Sequence, residues 1–173
     1  WQPISDATTN YRLQKGEVLK KYESILKNYE SRFSKQEIIA PEIGFKFKNK
    51  AELLMAMLHT GNDSNKQKLL VGRGWAEFRE DKTLDTSKWD AFILRATNVT
   101  SGILNESDYK FLQEIWDLMD SLKPAAQKAH KQMYGYYFNE VTANEFQTPW
   151  GNFRGGYVPA KVDVYEVEDA AIR

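Results

Sequence analysis

The sequence predicts a mainly α-helical fold, a helical bundle with a long N-terminal helix and a C-terminal β-hairpin and irregular extension. Three observations carry that prediction. Apolar residues recur at helical spacing in run after run as far as Glu140, and glycine or proline separates the runs. A period of two surfaces only at Gly44-Phe45-Lys46-Phe47-Lys48 and again beyond Phe146. The chain has 173 residues, 42% of them hydrophobic and 13% aromatic, which suits one domain with a real core. Its segments divide as 1–45, a long N-terminal helix; 46–143, a helical body; and 144–173, the hairpin and irregular extension.

From about Thr8 to Ile39, Val18, Tyr22, Ile25, Tyr29 and Phe33 follow one another at spacings of four, three, four and four. That is one stripe of an amphipathic helix, which would run about 45 Å at roughly 1.5 Å per residue. Gly16 weakens its first part, and Pro41 ends it, because the residue before a proline is pushed out of the helical region. Phe45 to Lys48 reads as a short extended segment with phenylalanines in and lysines out. Asn49 with Glu52 then resembles a capping box for an apolar helix, Ala51 to Leu58.

The least generic stretch follows, Leu58 to Trp75. Gly61 is expected to stop the first helix, Ser64 to cap a second short one and Gly72 to stop that. Ala76 to Thr86 is a charged connection of irregular pattern. Thr86 or Ser87 starts a helix with Trp89, Phe92, Ile93 and Ala96 inward, ending near Gly102. Asn105 to Asp108 starts the strongest helix, whose stripe is Phe111, Ile115, Leu118, Met119 and Leu122, widened by Trp116. Pro124 either kinks a helix that continues to about Glu140 or opens a new one, where a missing N–H is harmless. The aromatic block Tyr134 to Phe138 is expected to pack broadly. Phe146 to Arg154 forms a hairpin around Pro149-Trp150-Gly151-Asn152, and Val162, Val164 and Val167 hint at one more extended stretch.

Lysine plus arginine equals aspartate plus glutamate at 24 each, so no global field draws in nucleic acid or an anionic membrane. The absence of cysteine removes disulfides and thiolate chemistry. No apolar run approaches the roughly 20 residues of a membrane span, and a soluble protein is expected. Asn62, Asn98 and Asn105 head glycosylation-like triplets, better read as helix-end chemistry.

No set of residues fixes a reaction, and neither a catalytic residue, a metal ligand set nor a cofactor is assigned. His59 and His130 are the only histidines, and neither sits in a zinc-enzyme pattern. Glu114, Asp117 and Asp120 share a helical face that a solvated surface explains. The candidate binding residues are His59 and Asn62 in the polar corner, Arg73 and Arg154 beside glycines, and Trp150 in the hairpin turn. Each has a structural reading as well: helix-end chemistry, a braced turn, a packed ring. Lys46, Lys48 and Lys50 beside two phenylalanines offer a nucleic-acid contact, or a guarded sheet edge. The corner and the hairpin, both dense in glycine and aromatic residues, are expected to touch, with a cost of roughly 3–5 kcal/mol for Trp150→Ala.

Three strings together resemble segments of very large multidomain proteins of phages and other mobile elements, often called polyvalent proteins. They are Leu58-His59-Thr60-Gly61-Asn62 through Leu69-Leu70-Val71-Gly72-Arg73-Gly74-Trp75, Lys123-Pro124-Ala125-Ala126-Gln127-Lys128-Ala129-His130, and Thr148-Pro149-Trp150-Gly151-Asn152-Phe153-Arg154-Gly155-Gly156-Tyr157-Val158-Pro159. The likeness covers roughly residues 50 to 160 and carries over no catalytic residue. It implies a non-catalytic connecting or interaction domain, partnered by other domains of its parent chain or by phage or host proteins, in the bacterial cytoplasm or the virion. A start at Trp1 without methionine fits an origin inside a longer chain. Two alternatives stay open: part of an enzyme whose catalytic residues lie elsewhere in the parent, and a nucleic-acid-binding module.

Overall fold

The computed structural model describes residues 2–158, with side chains from Asp6 onward. Trp1, Pro159 and the valines at 162, 164 and 167 lie outside the described residues. The architecture is mainly helical with a small antiparallel hairpin at its C-terminal end, as the sequence predicts. Helices α1 (Gln2–Glu30), α2 (Lys50–Leu58), α3 (Asp63–Arg73), α4 (Ser87–Thr97), α5 (Glu106–Asp120) and α6 (Lys123–Tyr134) make the body. Three two-stranded antiparallel ladders attach to it: β1 (Ile38–Ala40) with β2 (Phe45–Phe47), β3 (Glu77–Phe78) with β4 (Leu84–Asp85), and β5 (Glu145–Thr148) with β6 (Gly151–Arg154).

The long first helix is shorter than its stripe suggests. It ends at Glu30, not Ile39, and Pro41 opens a single 3-10 turn between β1 and β2 rather than closing a helix. Ile38 and Ala40 alternate inward with Ile39 outward, and the strand finds its partner through Ile38 opposite Phe47 and Ala40 opposite Phe45. A local helical spacing yields here to a pairing made five to nine residues away. Gly16 does not break α1; its position is open to solvent, with nothing for a Cβ to meet.

Asparagine caps most of the other starts. Asn49 accepts from the Glu52 amide at 2.9 Å, although the Glu52 carboxylate returns to the amide of Lys48 and not to that of Asn49. Asn62, not Ser64, caps α3, and Gly74 at φ 72°, not Gly72, ends it. Asn98 caps the 3-10 turn Val99–Ser101, and Asn105 with Asp108 closes a full capping box on α5. The three glycosylation-like asparagines thus all serve helix starts. Pro124 stands in the first turn of a new helix, and α6 stops at Gly135, φ 85°, short of Glu140.

One apolar core runs from Tyr22 and Phe33 through α2, α4 and α5 to Val158. Within it Trp75 stacks on Trp89 at 5.4 Å, with Phe45, Phe47 and Phe92 around them. Trp116 stacks on Phe146 and Tyr109 on Phe153, at 5.1 and 5.3 Å, so the hairpin lies on α5. The connection Ala76 to Thr86 is more ordered than its pattern suggests, since it contains the β3–β4 ladder.

Candidate functional site

The polar corner between α2 and α3 is a clasp for the segment around the hairpin. Helix α2 ends at Leu58, before Gly61, with His59 as its last capping residue. Asn62, fully buried, uses both ends of its amide: Oδ1 accepts from the Asn65 amide at 2.9 Å and Nδ2 donates to the Gly156 carbonyl at 3.1 Å. Asn65 donates to the Val158 carbonyl at 2.7 Å. Asn144 binds the corner from the other side, its amide N–H to Gly61 O at 2.8 Å and its side chain to Thr60 O at 3.1 Å. The indole N–H of Trp116 donates to Leu58 O at 3.0 Å.

Gly61 is the contact point. A Cβ there would stand 2.6 Å from Trp116 Nε1 and 2.7 Å from Gly156 O, and one on Gly155 would strike the Gly61 backbone. These glycines answer to close backbone approach and not to helix termination. The corner and the hairpin region do touch, through backbone and asparagine; Trp75 and Trp150 belong to separate aromatic clusters.

The candidate residues do not share one cleft. His59 is buried and burial pulls its pKa below the usual histidine value, so the ring is held neutral. Arg73 lies at the far end of α3 from Asn62, roughly 16 Å along the axis, with its guanidinium over Trp75 at 5.5 Å. Trp150 is half-buried against Tyr109, ring centres 6.0 Å apart. The backbone of Arg154 is gripped by the Gln113 side-chain amide, which donates to its carbonyl and accepts from its N–H, both at 2.8 Å. Arg154 also lines a polar cleft beside Asp117, Asp120, Lys123 and Glu140.

The lysines at β2 do not form a patch. Lys46 lies 3.4 Å from Glu37, and Lys50 points inward to Asp108 at 3.1 Å, both side chains buried. Burial holds the Asp108 carboxyl above the ordinary aspartate range even with that ammonium beside it. The acidic face of α5 is exposed: Glu114 accepts from the Tyr29 hydroxyl, Asp117 from Gln113, and Asp120 pairs with Lys123. Among the described residues, no group of three or more histidines and carboxylates is placed to hold a metal ion, and no helix is long and apolar enough to cross a membrane.

What sequence reasoning missed is the surface after α6. The aromatic block does not pack broadly: Tyr134, Tyr136 and Tyr137 are 58%, 62% and 55% exposed, and Met133 before them is 58% exposed. The backbone that presents them is tied down. Gln127 donates to the Phe138 carbonyl and accepts from its N–H, both at 2.8 Å, and His130 Nδ1 lies 2.7 Å from Tyr136 O with its ring among Tyr134, Tyr136 and Phe138. Lys131 sits over the Tyr137 ring at 4.6 Å. Gln127 and His130, three apart on one helix face, were the sequence signal for that fold-back.

No family model matches the chain, and no curated protein or solved structure matches it.

Proposed function

We propose that this chain is a non-catalytic interaction domain of a large phage- or prophage-encoded multidomain protein, acting in the bacterial cytoplasm or the virion, and that residues 131–138 dock an acidic surface of another domain of that protein. The observation that carries the reading is the group of exposed rings on a backbone fixed by Gln127 and His130. Large aromatic side chains left outside on a rigid loop lose little conformational freedom on binding, which is how interface anchors work. Their setting is basic, since α6 carries Lys128 and Lys131 near the rings and no acid, and Arg12 lines the adjoining groove between α1 and α6. The polar groups of the corner, by contrast, are used to hold the chain to itself. The resemblance over residues 50–160 supplies the parent-chain setting.

The test compares amide hydrogen exchange of this chain alone with that of the parent protein containing it. Protection of residues 131–138 in the parent, lost on Tyr136→Ser with Tyr137→Ser while the melting temperature of the isolated chain holds, is the expected result. Unchanged exchange in this segment refutes the docking. Sub-micromolar binding of single-stranded oligothymidylate at the same residues replaces it with a nucleic-acid reading, because aromatic rings among lysines also stack bases.

A further inference from the structure

A second feature lies on another face. A cleft of about 380 Å³ opens between α3 and α4 on one side and the run into β5 on the other, with α2 and α5 beneath. That is the size of a small-molecule site. Its floor includes Tyr109 and Trp89, 1% and 2% exposed. Neither the Tyr109 hydroxyl nor the Trp89 indole N–H hydrogen-bonds to any described residue. Each of these donors is therefore open to a partner that enters the cleft. Neither atom is sealed from solvent, and the cleft is the space that both residues border.

The orientation of Tyr109 is fixed. Phe153 stacks on its ring and Trp150 leans on it, while burial and the nearby Asp108 carboxylate raise its pKa, which keeps the hydroxyl protonated. The walls are mixed, with apolar surface from Met57, Ile93 and Phe146 beside the polar side chains of Thr60, Asn144 and Gln147. The rim is acidic. Asp63 and Glu145 are exposed there, and Lys66, the cation on the rim, is already bound to Asp90 at 3.0 Å.

We infer that this cleft is a binding site for a small organic amine with an apolar body and an oxygen acceptor at its far end. The oxygen takes the donors of Tyr109 and Trp89, the body lies against Met57, Ile93 and Phe146, and the ammonium meets Asp63 and Glu145. The exposed carboxylates of Asp63 and Glu145 select against a carboxylate ligand, and the unpaired donors of Tyr109 and Trp89 favour one with an oxygen acceptor over a plain hydrocarbon. The site is independent of the docking surface at residues 131–138, and nothing in it provides a reaction.

Tyramine is the first probe, followed by calorimetry and tryptophan fluorescence. Its analogues are 2-phenylethylamine, which lacks the oxygen, and tyrosol, which lacks the ammonium. Tyramine should bind about fivefold or more tightly than either, one hydrogen bond or ion pair being worth about that factor. Tyr109→Phe, which keeps the ring packing and the Trp89 donor, should reduce the preference over 2-phenylethylamine and leave the preference over tyrosol. Asp63→Asn with Glu145→Gln should do the reverse. Equal affinity for all three probes on the unaltered protein, or no tyramine binding at roughly 10 mM, overturns the inference. So does a preference that survives both sets of substitutions undiminished.

Discussion

At the scale of single residues, two side chains singled out by the sequence turn out to report on stability. His59 is buried with its pKa lowered by desolvation. An unfolded histidine binds a proton near pH 6.5, the folded one only at lower pH, so the unfolded state gains protons first as pH falls. Stability is therefore full above about pH 6.5 and lost below it, by up to about 1.4 kcal/mol per pH unit until the folded pKa is passed. Urea midpoints measured from pH 7 to pH 5 should fall for the native chain and fall less for His59→Gln. Equal slopes for the two would show that the ring takes its proton without leaving the fold. Trp150 is the other case. It is half-buried where full burial was expected, so Trp150→Ala should cost about 2 kcal/mol instead of 3–5. Trp116, 1% exposed, stacked on Phe146 and bonded to Leu58 O, should cost about 3–5 kcal/mol on truncation. Denaturant titration of both variants checks the order.

At the scale of elements, the helices were legible because their information is local. The start signal of α5 and its stripe from Phe111 to Met119 lie within the helix and its first turn, and the sequence placed both; the capping box that Asp108 completes there and the position of Leu122 beyond the helix came from the structure. The strand Ile38–Ala40 was not legible, since its reason is β2, and neither was the clasp, since Asn62 finds its acceptor at Gly156. Glycine shows the same division. Gly61 and Gly72 both look like helix punctuation, yet Gly72 lies inside α3 with open space around it, while Gly61 is pressed between Trp116 and Gly156. Gly72→Ala should stabilise by about 0.5–1 kcal/mol, because alanine restricts the unfolded chain and favours helix. Gly61→Ala should destabilise by about 1–3 kcal/mol or more, because neither the indole nor the Gly156 backbone can retreat without breaking clasp bonds. Thermal midpoints that move the same way for the two substitutions would contradict this assignment. Of the candidate site, the corner was visible in the sequence but its purpose was not: an asparagine that binds a ligand and one that binds Gly156 are spelled alike.

At the scale of the whole molecule, the question is whether the segments 1–45, 46–143 and 144–173 unfold together. Helix α1 packs on α5 and α6, and the hairpin packs on α5 through Tyr109, Trp116 and Gln113. Tyr22 and Val158, from opposite ends of the described chain, belong to the same apolar core. With α5 shared, loss of the clasp should lower the stability of α1 although no clasp residue lies in that helix. Asn144→Ala provides the test. It removes the bond to Thr60 O and leaves the backbone pairs to Gly61 and Gly155 in place, a loss of about 1–2 kcal/mol. For a chain of this length each kcal/mol shifts the midpoint by about 2–4 °C. Helical circular dichroism, to which the 29-residue α1 contributes heavily, and near-ultraviolet tryptophan signals should shift together by that amount in one transition. A tryptophan transition that moves while the helical one stays would mean that α1 stands apart from the rest.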